Sequence, residues 1–132
     1  MAETIGILDI ASMEVPEQEA LPEGEHRVRI THVEEKIDKN GNPGYYILFS
    51  SDKPNTKPIG WYMGIPSEQL RSTNEGLFNA SVTRIKQFVA AFGITSNNPT
   101  EWIGKEGFVI LKLEESEEYG VSNRVKRFVV PR

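Results

Sequence analysis

Asn79-Ala80-Ser81-Val82-Thr83-Arg84-Ile85-Lys86-Gln87-Phe88-Val89-Ala90-Ala91-Phe92 is the stretch on which the fold turns. Val82, Ile85, Phe88, Val89 and Phe92 recur at helical spacing, Arg84, Lys86 and Gln87 fall on the other side, and Gly93 follows as a C-terminal stop. Around this amphipathic helix the chain is patterned for strands: residues 27–34, 45–50 and 57–63 before it, residues 107–114 and 123–130 after it. In the first run Arg27, Arg29 and Thr31 alternate with Val28, Ile30 and His32, which is the period-two signature of a strand with one wet face and one buried face. The arginines then face out. Tyr45-Tyr46-Ile47-Leu48-Phe49 is a nearly continuous β-prone run and reads as a central strand. In the third run Pro58 sits at the start, and Gly60 marks a bulge or a bend.

Three strands, a helix and two strands is the order of a mainly β, five-stranded Greek-key barrel of the OB-fold type, whose helix plugs one end. That is the expected fold. Asp38-Lys39-Asn40-Gly41-Asn42-Pro43-Gly44 packs turn formers between the first two strands and reads as a hairpin loop. Residues 64–78 are ambiguous: Ser72 and Glu75 have capping-box spacing, yet Gly76 follows, so the helix starts there, at Asn79 or at Ser81. Asn98-Pro99-Thr100-Glu101-Trp102-Ile103-Gly104 reads as a single turn capped by Thr100, with Trp102 and Ile103 beneath it. Barrels of this kind carry no built-in chemistry and serve mostly as binding platforms.

With 132 residues the chain has the size of one domain. Residues 1–22 read as an acidic, partly flexible leader and residues 23–132 as the barrel domain. The formal net charge of −4 is unevenly spread: residues 1–25 hold seven acids (Glu3, Asp9, Glu14, Glu17, Glu19, Glu23 and Glu25) and no base, leaving 12 acids against 15 bases in the remainder. The body is therefore cationic under an anionic total, a statement about partners rather than fold. The absence of cysteine excludes disulfides and thiolate chemistry. No apolar run is long enough to cross a bilayer, and the start lacks the basic and apolar segments of a secretory signal, so a cytoplasmic protein is expected, with no membrane partner.

Catalysis finds little support in the residue types. His26 and His32 lie six residues apart on one expected strand, about 20 Å, too far to share a metal ion. Asp38 opens a stretch like a calcium loop, but its twelfth residue is Phe49 where a glutamate is needed. Asn79-Ala80-Ser81 fits a glycosylation acceptor but reads better as helix capping. Glu114, Glu115, Glu117 and Glu118 read as a solvated loop tip. Neither an enzyme, a cofactor nor a metal is expected. What remains is a set of interleaved aromatic and basic residues on the strands and first loop: Arg27, Arg29, Lys36, Lys39, Tyr45, Tyr46, Trp61, Tyr62, Lys112, Arg124, Lys126 and Arg127. Single-stranded nucleic acid needs planar side chains for its bases and cations for its phosphates. Core packing and solubility explain any one of these residues equally well, since alternate aromatics must point inward.

Leu21-Pro22-Glu23-Gly24-Glu25-His26-Arg27-Val28-Arg29-Ile30 resembles the opening of a family of small bacteriophage proteins regarded as OB-fold single-stranded-DNA-binding or recombination-associated proteins. The likeness continues through Lys39-Asn40-Gly41, Phe92-Gly93-Ile94, Glu101-Trp102-Ile103-Gly104-Lys105, Tyr119-Gly120 and Asn123-Arg124-Val125-Lys126-Arg127-Phe128. It implies a sequence-tolerant single-stranded-DNA-binding protein of phage replication or recombination, working in the host cytoplasm. Arg27, Arg29, Lys36, Lys39, Lys112, Arg124, Lys126 and Arg127 would neutralise phosphates; Tyr46, Trp61 and Tyr62, with Tyr45, would stack on bases. The acidic leader would engage replication or recombination proteins or compete with DNA. The four glutamates depart from this pattern, because they occupy a loop that in OB-folds usually embraces the ligand. An OB-like adaptor of a replisome or virion, binding protein and no nucleic acid, is the competing expectation. Oligomeric state stays open, a homo-oligomer included.

Overall fold

In the computed structural model residues 6–14, 17–118 and 120–131 are described. Glu3 and Tyr119, used in the sequence reading, lie outside them. The elements run α1 (Ile7–Ala11), β1 (Gly24–Ile37), β2 (Pro43–Ser50), β3 (Ile59–Gly64), α2 (Glu68–Thr73), α3 (Glu75–Phe92), a 3-10 turn (Pro99–Trp102), β4 (Glu106–Ser116) and β5 (Gly120–Phe128). All five expected strands form, most of them longer than expected. The strands make one antiparallel sheet in the order β3-β2-β1-β4-β5. β3 and β5, its two edges, also come into contact with each other.

β1 is long because it serves two partners in turn. Residues 24–29 pair with β4 and residues 29–37 with β2, and a bulge between Ile30 and His32 separates the two registers. At the bulge the loop after the 3-10 turn supplies the missing partners: Ile30 donates its N–H to the Lys105 carbonyl, and Gly104 donates to the Ile30 carbonyl. One extra residue reverses the strand's facing beyond it. His26 is therefore half-buried and bonded to the Pro22 carbonyl, whereas His32 is exposed beside Glu34; the two do not share the face that a regular strand would give them.

The expected helix lies within α3, which starts at Glu75, and a second short helix, α2, precedes it. Ser67 caps α2 by accepting from the Leu70 N–H, and Asn74 caps α3 by accepting from the Leu77 N–H. Ser72 lies inside α2, so the capping box read at Ser72 and Glu75 does not form. Gly93 ends α3 in the left-handed conformation, φ 62°, as expected. The 3-10 turn is capped by Asn98 rather than Thr100, and Ile103 is exposed where burial was expected. Trp102 is buried, its indole N–H donating to the Ser96 carbonyl. β4 continues through Glu114 and Glu115 to Ser116 and pairs there with β5, so these two glutamates are strand residues, while Glu117 and Glu118 lie in the turn.

The core lies between the sheet and α3. Val28, Ile30, Ile47, Phe49, Ile59, Val109, Leu111 and Phe128 from the sheet meet Phe88, Ala91 and Phe92 from the helix. The buried face of α3 is turned from the expected stripe: Ala91 is inside and Val89 is exposed. Leu21, assigned to the leader by sequence, is 1% exposed. Asn123 holds it like a strand partner, accepting from the Leu21 N–H and donating to its carbonyl, while Glu19 forms a parallel bridge to Thr56. No helix among the described residues is long and apolar enough to cross a membrane.

Gly107 is where α3 presses closest on the sheet. A Cβ there would lie 2.6 Å from the Ala91 carbonyl oxygen and 3.0 Å from the Phe92 ring. The first contact is backbone and cannot swing aside. Gly107→Ala is expected to destabilise the fold by about 1–3 kcal/mol, the usual range for overpacking, as a lower urea midpoint at unchanged slope. An unchanged midpoint contradicts this packing.

Candidate functional site

The alternation along β2 and β3 decides which aromatics are available. Ile47 and Phe49 are wholly buried, so Tyr45 on the same side turns inward, packing on the core and meeting the Trp102 ring edge-on at 5.5 Å. On β3, Ile59 and Met63 are buried, and Trp61 between them packs on Phe88 and Phe128. Tyr45 and Trp61, both expected to stack on bases, are thus half-buried and pack against the core. Tyr46 and Tyr62 occupy the opposite face, paired directly across the two strands.

Glycines let these two rings lie down along the sheet. A Cβ on Gly60 would collide with the Tyr46 hydroxyl and ring, and one on Gly44 with the Tyr62 hydroxyl and ring. Gly60 pairs with Leu48 and Gly44 with Gly64, so each phenol reaches diagonally over a glycine of the opposite strand. Glycine in a strand marks a place of close approach, and an aromatic ring over it restores the missing packing. The Lys36 ammonium sits 5.2 Å from the Tyr46 ring centre, a cation–π distance. Glu34 pairs across from Tyr46 on the other side. The result is two neighbouring phenol rings on the outer face of the sheet, Tyr62 exposed and Tyr46 half-buried with a cation over it.

Beside this face lies the first loop, which holds Lys39 and is ordered by Asp38. The Asp38 carboxylate accepts from the N–H groups of Asn40 and Asn42 and from the Asn42 amide. These bonds, the Asn42 N–H first, hold its pKa below the ordinary 3.8.

The other cations are brought to different strands. Arg27 and Arg29 stand on the β1–β4 side, Arg27 in an ion pair with Glu106 and opposite the exposed Phe108. Lys112 and Arg124 face each other across β4 and β5, with Glu114 3.6 Å from Arg124. Arg127 pairs opposite Ile110 on the same two strands, and Lys126 is the extra residue of the β4–β5 bulge. These exposed ion pairs contribute little to stability. The twelve predicted residues therefore divide into a tyrosine face with Lys36 and Lys39, two basic patches on β1, β4 and β5, and two aromatics packed against the core.

One residue that the sequence reading placed on the solvent side of the helix belongs to the site. Arg84 is half-buried and donates to the carbonyl oxygens of Val125 and Lys126 at the β5 bulge, at 2.9 and 3.1 Å. Its guanidinium lies 5.6 Å from the Phe128 ring centre. Burial first, and the Arg124 charge second, lower its pKa below the ordinary guanidinium range. Among the described residues no carboxylate pairs with it. Arg84, Trp61, Tyr62, Gly64, Ala80 and Ser81 line a cleft of about 270 Å³ between β3 and α3. Its spacing from Phe88, one helical turn, is the signal that could have placed it.

Among the described residues no cluster of histidine and carboxylate side chains could hold a metal ion. No protein-family model and no curated protein matches the sequence.

Gly60→Ala is expected to leave the sheet intact and lift the Tyr46 ring, seen as a change in the Tyr46 ring-proton shifts with an unchanged circular dichroism spectrum; unchanged ring shifts contradict the glycine seat. In the native protein the amide protons of Asn40 and Asn42 are expected to titrate with an apparent value below 3.8. Because the folded carboxyl's pKa is depressed, its contribution to loop order is complete above the ordinary value and is lost as pH falls through the native one. Titration at or above 3.8 contradicts the assignment.

Proposed function

We propose that this chain is an OB-like, sequence-tolerant single-stranded-DNA-binding protein of the phage replication or recombination type that its sequence resembles. The observation that carries the reading is the pair of outward-facing rings, half-buried Tyr46 and exposed Tyr62, seated on glycines beside Lys36. A base of any sequence has a π-face, so two neighbouring rings on an open sheet face accept successive bases without reading their edges, at about 1–3 kcal/mol per base. Lys36 and Lys39 stand beside the rings for the phosphates. The patches at Arg27 and Arg29 and at Lys112, Arg124, Lys126 and Arg127 extend the positive field around the barrel. Nothing covalent is involved.

The sheet order β3-β2-β1-β4-β5, the contact of its two edges and the position of α3 after β3 support the barrel reading. Glu19 and Leu21 lie at the β3–β5 seam, bonded to Asn55 and Lys57 on one side and Asn123 on the other. In this reading the protein acts in the host cytoplasm and the acidic leader meets replication or recombination proteins.

Fluorescence anisotropy of labelled oligo(dT) tests this. Binding is expected at about 50 mM salt and weakens steeply as salt rises. Tyr46→Ala and Tyr62→Ala each weaken it about 5- to 150-fold, the equivalent of one lost stack, while Tyr45→Phe leaves it unchanged. Absence of binding overturns the reading in favour of the adaptor. For that alternative the structure offers a specific feature: Ile7, Leu8 and Ile10 of α1 are all exposed, next to a run of acids.

A further inference from the structure

The Arg84 guanidinium is half-buried, and among the described residues no carboxylate pairs with it. Two carbonyl bonds and the Phe128 ring fix its plane, so its remaining N–H donors are pre-oriented. They belong to a residue that walls an open cleft, together with Tyr62 and Ser81. A rigid, partly desolvated guanidinium with spare donors is the arrangement that recognises a phosphate. The cleft volume of about 270 Å³ holds a phosphate group with part of its sugar.

Its position also matters. Tyr62 belongs both to the ring pair on the sheet face and to the cleft wall. Arg84 in turn is electrostatically coupled to Arg124, which faces Lys112. The cleft that Tyr62 and Arg84 both line thus lies between Lys36, Tyr46 and Tyr62 on the β2–β3 face and Arg124 and Lys112 on β4 and β5. We propose that the cleft between β3 and α3 is a phosphate site, in which Arg84 takes one phosphate of a strand whose bases stack on Tyr62 and Tyr46. This rests on the single-stranded-DNA reading and adds to it a contact outside the sheet face.

The test uses the full chain and oligo(dT) across a salt series. Arg84→Gln is expected to weaken binding about tenfold and to lower the slope of log affinity against log salt by about 0.7, the value of one phosphate contact on a single strand. Arg84→Lys keeps the slope. Ala80→Phe fills the cleft from the exposed helix surface and leaves the Arg84 bonds alone, so it is expected to weaken binding similarly and carries the test if Arg84→Gln fails to fold. Equal effects on 5′-hydroxyl and 5′-phosphorylated oligo(dT) assign an internal phosphodiester; an effect on the latter alone assigns a terminal phosphate. Native binding that survives both Arg84→Gln and Ala80→Phe with unchanged slope overturns the cleft site and leaves the ring pair standing. If native protein binds no oligo(dT), the function reading falls, and thymidine 5′-monophosphate then tests the cleft: a shifted Arg84 Nε–H resonance sustains the phosphate site, and an unmoved one ends it.

Discussion

Phe88 touches five other rings: Phe49 of β2 at 6.4 Å, Trp61 of β3 at 5.2 Å, Phe128 of β5 at 5.5 Å, Phe92 of its own helix at 5.3 Å and Trp102 of the 3-10 turn at 5.9 Å. Such pairs add about 0.5–1.5 kcal/mol each beyond the area they bury. This knot ties α3 to three strands at once. With Phe49 and Trp61 drawn inward, the pleat sends Tyr46 and Tyr62 outward, and with Phe88 in place Arg84, one turn earlier, lands on the β5 bulge. The candidate site follows from where the core is.

Charge acts differently here from the simple count of bases. Arg27 and Arg124 each stand beside a glutamate, so part of the positive excess of the body is already balanced at the surface. Among the described residues Arg84 meets carbonyl dipoles and the Phe128 ring but no carboxylate, and Lys36 lies over the Tyr46 ring. Eleven of the 19 acids of this anionic chain fall in residues 1–25 and at the β4–β5 hairpin end, and under the proposed reading the seam is left as the line a polyanion would follow. Long-range steering by such a molecule is weak, and short-range stacking carries a correspondingly larger share of any binding.

The period-two pattern of Arg27 to Ile30, the turn at Asp38 to Gly44 and the helical spacing before Gly93 made the five strands and the main helix legible in the sequence. What escaped were features that continuous apolar runs conceal. Tyr45 to Phe49 and Phe108 to Leu111 have no polar residue to announce which side is wet, so Tyr45 and Phe108 were unreadable until Phe49 and Val109 were seen buried. The bulge after Ile30 has no glycine to mark it and depends on a distant loop, through Lys105. Leu21 reads as leader because its hydrogen-bond partner, Asn123, lies 102 residues further on. Arg84 reads as solvent-facing because a helix pattern counts charge as polar, whereas its aliphatic stem and two carbonyl acceptors let it lie along the buried side.

Ultraviolet cross-linking of oligo(dU), with the attached peptides mapped by mass spectrometry, tests the central claim that the aromatic knot turns Tyr46 and Tyr62 outward for bases. The account predicts adducts on both tyrosines and none on Tyr45. Adducts confined to β4 and β5, or on Tyr45 with Tyr46 and Tyr62 unmodified, would contradict it.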